Sequence, residues 1–241
     1  MILAMIIVTL FVMTQITFAG RGVEDNPCQF VPPGTQLSLD YGGHCYYEAE
    51  NSRLPSNHSG RRVLYFGDSI TQGWRHLPGL PEGETINRGI GAQTTTQMLV
   101  RFRADVLNLK PQVVHLLAGT NDIAGNTGPT SLSRIKEAIM SMCEQAKARD
   151  IKIVLASILP AKVYPWNPSL DPVPSILALN QWLKEYAAQE GFVFADYYST
   201  LSDGNDSFQK RLANDGIHPN AAGYAAMEPI AREAIAKAFQ K

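Results

Sequence analysis

Runs of like charge are missing from this sequence. Its 21 lysines and arginines and 22 aspartates and glutamates nearly cancel, leaving a formal net charge of −1 with neither sign clustered. Without a basic footprint the chain has nothing to set against a phosphate backbone, which argues against nucleic acid as a partner. It also lacks an HExxH pair and any two cysteines at zinc-ligand spacing, so no metal site is expected. GxSxG, Walker and complete GxGxxG loops are absent too, which removes the better-known nucleophile-elbow and nucleotide-binding signatures. Long apolar runs are scarce. The first, Met1 to Ala19, ends in Thr17-Phe18-Ala19 before Gly20 and reads as a secretory signal peptide over residues 1–19. No lysine or arginine precedes that run, and an uncleaved membrane anchor is the alternative. No later stretch is apolar for long enough to span a bilayer, so no stable membrane partner is expected after cleavage. The expected location is secreted or periplasmic.

Only three cysteines occur. Cys28 and Cys45 lie in a Gly/Pro/aromatic-rich segment, and export would place them where a disulfide persists. Such a bridge would stabilise by about 3 kcal/mol on the chain-entropy model. Two unpaired thiols are the other reading, because spacing alone proves no bridge. Cys143 shares a helical stripe with Leu132, Ile135, Ile139, Met142 and Ala146 and reads as a small core residue.

With 241 residues, 45% of them hydrophobic and 18% charged, the chain can bury a full two-sided core in one domain. Residues 20–60 are rich in Pro, Gly, Asn and Ser without sustained period and read as an N-terminal extension. Periodic sequence fills residues 61–241. Short apolar runs at Arg62 to Phe66, Val113 to Leu117, Lys152 to Ile158 and Phe192 to Ala195, with a weaker one at Glu84 to Asn87, suit strands buried on both faces. Between them, Met98, Leu99, Phe102, Val106 and Leu109 share a helical face, as do the Leu132 to Ala146 stripe, Leu177 to Tyr186, and Met227 to Ala238. Alternation of this kind predicts an α/β fold: a parallel sheet of about five strands between two layers of helices. Chemistry in such sheets sits on the loops beyond the carboxyl ends of the strands.

Three of those loops carry reactive types. The first strand delivers Gly67-Asp68-Ser69-Ile70, a serine on a glycine-flanked turn where a nucleophile stands exposed. Ala118-Gly119-Thr120-Asn121-Asp122 brings a side-chain amide to the same edge, suited to donate to an oxyanion. Asn214-Asp215-Gly216-Ile217-His218 sets a carboxylate three residues before an imidazole, so that one ring nitrogen can face the carboxylate and the other a serine hydroxyl. Each loop taken alone also has a plain structural reading: a serine capping a helix, an Asn-Asp turn, a surface histidine. His115, inside a strand, reads as a satisfied core histidine, and His44, His58 and His76 have no ligand pattern around them.

Together these residues resemble the GDSL or SGNH hydrolases, a family named for a serine, a glycine, an asparagine and a histidine in four sequence blocks. The serine block looks like Gly67-Asp68-Ser69-Ile70, the asparagine block like Gly119-Thr120-Asn121-Asp122, and the last block like Asp215-Gly216-Ile217-His218. The second block departs from the pattern: counted from Asn87, the place of the oxyanion glycine falls to Ala92. A backbone amide survives that exchange, but alanine resists positive φ, so Gly89 or Gly91 would carry the strained angle or the register would shift. The resemblance runs from Val63 to the C-terminus.

It implies a flavodoxin-like three-layer α/β/α sandwich and a serine esterase without a cofactor. Ser69 would be the nucleophile, His218 the general base and Asp215 its orienting group. The oxyanion hole would comprise the amides of Ser69 and Ala92 and the side chain of Asn121. Trp74, Tyr164 and Trp166, close to the catalytic edge, are candidates to contact substrate, with packing of the same rings under their loops as the equal alternative. The expected substrates are small acyl esters, short-chain ones such as acetyl, including those of carbohydrates. A phospholipid-type acyl ester hydrolase and a catalytically silent glycan-binding protein on the same fold are the alternatives.

Overall fold

The computed structural model describes Cys28, Val31 and residues 39–55, 61–79 and 84–241; the signal peptide expected at 1–19 lies outside them. A short helix, α1 (Glu48–Asn51), precedes the alternating region. From there the chain runs β1 (Arg62–Gly67), α2 (Ser69–Gln72), β2 (Glu84–Gly89), α3 (Thr95–Asp105), β3 (Val113–Leu117), α4 (Thr120–Ile123) and α5 (Leu132–Lys147). It continues through β4 (Lys152–Ala156), α6 (Val173–Glu190), β5 (Val193–Ala195), α7 (Tyr198–Leu201) and α8 (Ala221–Phe239).

The five strands form one all-parallel sheet in the order β2-β1-β3-β4-β5. Every residue of β1 is buried, which is why its sequence is a continuous apolar run and not an alternating one. Side-chain alternation then sorts that run between two cores. Leu64 and Phe66 point into one, filled by Met98 and Phe102 of α3, Ile135, Ile139 and Met142 of α5, and Ile176, Leu179 and Leu183 of α6. Val63 and Tyr65 point into the other, filled by Met227, Ala231, Ile235 and Ala238 of α8. Cys143 is buried and free in the first core, as its stripe required. His115 is buried too, with one ring nitrogen 2.7 Å from the Tyr197 hydroxyl, and burial lowers its pKa to about 3, so it stays neutral.

Element boundaries shift from the sequence expectation where local chemistry outweighs periodicity. Helix α8 starts at Ala221, a turn and a half before Met227, because the Asn220 side chain accepts from the Ala222 and Gly223 amides. Strand β4 ends at Ala156; the Ser157 amide still donates to Ala195 of β5, but the Ile158 amide turns to the Asn180 side chain. The described part of the extension packs on the domain, where Tyr47 donates to the Gly89 carbonyl. Cys28 and Cys45 are joined in a disulfide, and the Asp40 carboxylate accepts from the His44 and Cys45 amides at 2.9 and 2.7 Å.

Two buried charges lie behind the carboxyl edge of the sheet. Arg101, fully buried, donates to Asp105 at 2.9 Å, to the Gln93 side chain at 2.6 Å and to the Gly67 carbonyl at 3.1 Å, and its guanidinium lies 4.2 Å over the Phe66 ring. Asp68 caps α2 by accepting from the Ile70 amide, yet its second carboxylate oxygen is buried without a partner among the described residues. Burial raises the Asp68 pKa from 3.8 to about 7, against the opposing pull of the Ile70 amide and of His218.

Each charge generates a prediction. Arg101→Met leaves Asp105 buried with its charge largely uncompensated, and urea unfolding should show a loss of about 3–5 kcal/mol; a variant as stable as the wild type would mean that Asp105 does not depend on that pairing. For Asp68, the protonated acid is the form the fold accommodates, so its contribution is best below 3.8 and is lost as pH rises through about 7. Asp68→Asn should therefore raise the unfolding temperature relative to wild type more at pH 8 than at pH 5. An equal difference at both pH values would contradict the raised pKa.

Candidate active site

Ser69 is the first residue of α2, immediately beyond β1, and the Asp68 cap fixes the turn that presents it. Its hydroxyl lies 2.9 Å from His218 Nε2. On the far side of the ring, His218 Nδ1 is 2.7 Å from Asp215 Oδ2. The other carboxylate oxygen of Asp215 accepts from the Ile217 and His218 amides at 2.9 and 2.8 Å, a turn closed with Gly216 at φ +79°. Partial burial pushes the Asp215 pKa up, but the His218 ring N–H and the two amides outweigh it and hold the carboxyl below its ordinary range. With the carboxylate ionised, the proton on Nδ1 is held there and Nε2 is left to accept from Ser69. Residues 149 apart in sequence meet in this way because β1 is central in the sheet and the loop before α8 crosses the same edge.

The second block runs off β2 and lies directly on α2. A Cβ on Gly89 would come within 2.7 Å of the Gln72 Cα and the Thr71 carbonyl carbon, so only glycine permits this approach of two backbones. Gly89 and Gly91 do not take the left-handed conformation; Ala92 takes it itself, at φ +64°. The expectation that a neighbouring glycine would absorb the strain is thereby corrected. An exposed alanine methyl makes the conformation tolerable, at a cost of about 1–2 kcal/mol. The backbone N–H groups of Ser69 and Ala92 have no hydrogen-bond partner among the described residues.

Asn121 follows Gly119, whose φ of +125° and tight packing against Leu179 and Ile158 both call for glycine. The Asn121 amide is held on three sides. Its Nδ2 donates to the Gln93 carbonyl at 3.0 Å, its Oδ1 accepts from Asn126 Nδ2 at 2.8 Å, and the Asn121 carbonyl accepts from the Asn126 amide. One amide hydrogen of Nδ2 remains. Next to it, buried Asp122 accepts from the Thr95 amide and hydroxyl, which locks the start of α3 to the third block.

Among the aromatics, two of the three sequence candidates are interior. Trp74 is 3% exposed, stacked on Tyr224 and edge-on to Tyr65, because an indole between the sheet and α8 removes more apolar surface from water than one on the rim. Tyr164 is fully buried under its own loop. Trp166 is half exposed, and its ring N–H donates to Asn126 Oδ1 at 3.1 Å. It flanks an open cleft of about 560 Å³ with Tyr41, Ala92, Gln97, Asn126 and Asn167. Tyr41 and Asn126 escaped the sequence reading. Asn126 follows a glycine in what looks like an ordinary turn, and Tyr41 belongs to a segment without periodicity. Among the described residues no cluster of His, Cys, Asp or Glu has the makings of a metal site.

Comparison with known proteins identifies the family. The model of the GDSL-like lipase/acylhydrolase family matches residues 65–226. A solved structure from Bacteroides fragilis, assigned as an acylhydrolase, superposes with a TM-score of 0.76 at 41% identity, covering 82% of this chain and 98% of that one. An acetylxylan esterase of Geobacillus stearothermophilus is 24% identical over 202 residues, 69% of this chain and 90% of that protein. The uncharacterized lipoprotein YqeF of Bacillus subtilis is 32% identical over 117 residues, or 41% of this chain, and the match spans only 48% of that protein. The chain belongs to the GDSL-like lipase/acylhydrolase family of carboxylic ester hydrolases.

Proposed function

We propose that the chain hydrolyses small acyl esters, acetyl esters of carbohydrates foremost, through an acyl-enzyme on Ser69. The observation that carries this reading is the unbroken line from Ser69 Oγ through both nitrogens of His218 to Asp215, with spacings of 2.9 and 2.7 Å. Ser69 Oγ attacks the ester carbonyl while His218 Nε2 takes its proton. The carbonyl oxygen gathers negative charge and is met by the amides of Ser69 and Ala92 and by the remaining N–H of Asn121. The carbon–oxygen bond to the alcohol then breaks, and His218 returns the proton to the departing alkoxide. Water, deprotonated by the same nitrogen, attacks the acyl carbonyl and restores the serine. Asp215 stays ionised throughout and stabilises the imidazolium.

The carbohydrate half of the proposal rests on the cleft beside Ala92. Trp166 and Tyr41 offer flat apolar rings for the C–H face of a pyranose, and Asn126 and Asn167 offer amides for its hydroxyls. An acetylxylan esterase among the relatives supports the same class. An extracytoplasmic site of action is supported by the Cys28–Cys45 disulfide and by a lipoprotein relative.

Hydrolysis of nitrophenyl esters of increasing acyl length should be fastest for acetyl and fall with chain length, and Ser69→Ala should abolish it while the variant stays folded. Residual wild-type turnover in a folded Ser69→Ala chain would overturn the nucleophile, and a rate rising toward long acyl chains would favour a phospholipid-type substrate. Asn121→Ala should lower kcat by about 100- to 1,000-fold with KM little changed. A loss confined to KM would refute its role at the oxyanion.

A further inference from the structure

The strap formed by residues 40–47 lies outside the stretch matched by the family model, yet its hydrogen bonds converge on the loop that holds Ala92. Tyr47 donates from its hydroxyl to the Gly89 carbonyl at 2.6 Å, with its ring 4.5 Å beneath the Arg88 guanidinium. Gln93 Nε2 donates to the Gly42 carbonyl at 3.0 Å, and Gln97 Nε2 to the Tyr41 carbonyl at 3.0 Å. The remaining link passes through Gln72, at the end of the nucleophile's own helix. Gln72 Nε2 donates to the Tyr46 hydroxyl at 2.6 Å, and Gln72 Oε1 accepts from the Gly91 amide at 2.9 Å. The strap therefore touches the second block at residues 89 and 93 directly, the first turn of α3 at residue 97, and residue 91 through a side chain that shares a helix with Ser69.

The arrangement bears on catalysis because the loop it grips is under strain. Ala92 sits at φ +64° with no bond from its own amide among the described residues, so its direction depends on what fixes the peptides on either side. Gln72 accepts from the peptide N–H just before it; the peptide after it is held by the Gln93 amide donating to the Ile90 carbonyl, and the Gln93 side chain is anchored on the strap at Gly42. We propose that the strap is a positioning element of the oxyanion hole and that Gln72 is the positioning residue coupling it to the loop, so that the Ala92 amide is aimed before substrate arrives. This inference rests on the proposed role of that amide. Donors aligned in advance contribute only in the transition state, so their loss is read in kcat and not in KM.

The test compares Gln72→Leu, Gln72→Glu and Tyr47→Phe on nitrophenyl acetate, with the unfolding temperature of each variant measured alongside. Gln72→Leu removes the acceptor for the Gly91 amide, and kcat should fall by about tenfold to 100-fold, less than the loss of a whole oxyanion donor, with KM held. Gln72→Glu keeps an acceptor at the same reach and should recover most of that loss. Tyr47→Phe removes one hydroxyl while keeping the ring under Arg88, and should lower kcat without lowering the unfolding temperature enough to populate unfolded chain at the assay temperature. Wild-type kcat in both Gln72→Leu and Tyr47→Phe would overturn the inference, as would a Gln72→Glu variant no better than Gln72→Leu or losses confined to KM. Those results, with Ser69-dependent turnover intact in the wild type, would leave the esterase reading standing. Ester turnover that survives in folded Ser69→Ala would remove both.

Discussion

A guanidinium with no exposure to water must be satisfied by its surroundings, and in this chain the surroundings of Arg101 are the parts of the site. Its partners are the carbonyl of Gly67 at the end of β1, the side chain of Gln93 just beyond Ala92, and Asp105 at the end of its own helix. Gln93 in turn gives its carbonyl to Asn121 and its side-chain amide to Gly42. Removing a charge of this kind from water costs several kcal/mol unless every donor is used. The serine turn, the second block, the third block and the strap are thus tied to one buried charge, and none of them can shift without breaking a hydrogen bond in a low-dielectric interior.

That tie gives the carboxyl edge of the sheet its rigidity, and the chemistry needs rigidity there. The proposed oxyanion donors come from three loops widely separated in sequence, and they would stabilise a transition state only if they stand in place beforehand. Close backbone approach at Gly89, the left-handed turn at Ala92 and the double grip on the Asn121 amide by Gln93 and Asn126 all point the same way. By contrast the Asp215–His218 pair is about half exposed and is built within one turn, with Asp215 accepting from two amides of its own loop. The rim aromatic Trp166 is bonded to Asn126, so the surface proposed to meet the alcohol half of the substrate is linked through one side chain to the group proposed to meet its carbonyl.

Much of this was legible in the sequence because it is local. A continuous apolar run of four residues bounded by glycine, Val63 to Phe66 before Gly67, has few other ways to fold than as a central parallel strand, and the order of strands and helices then fixes the layers. Ser69, Asn121, Asp215 and His218 could be singled out because each follows a strand or precedes a helix on a loop of small residues. What could not be read depends on distance across the fold. Trp74 looks like a rim residue from its nearness to Ser69, but which side of α2 it falls on is decided by Tyr224 and Tyr65, far away in the chain. Tyr164 and Trp166 are two residues apart and end in opposite environments, one under the loop and one above it. Ala92 takes a conformation its type resists, which propensity argues against and only the contacts around it explain. Residues 40–47 have no period at all; their place is set by hydrogen bonds to residues 42 to 56 positions away.

The central claim is that Ser69 is the atom that carries the acyl group. A fluorophosphonate reagent, which captures an activated serine as a stable tetrahedral phosphoryl adduct, tests it without assuming a substrate. Peptide mass spectrometry of the treated protein should place a single adduct on Ser69, formed in the native wild type and absent in a folded His218→Ala variant. An adduct on a different residue, or labelling of Ser69 that is indifferent to His218, would contradict the account.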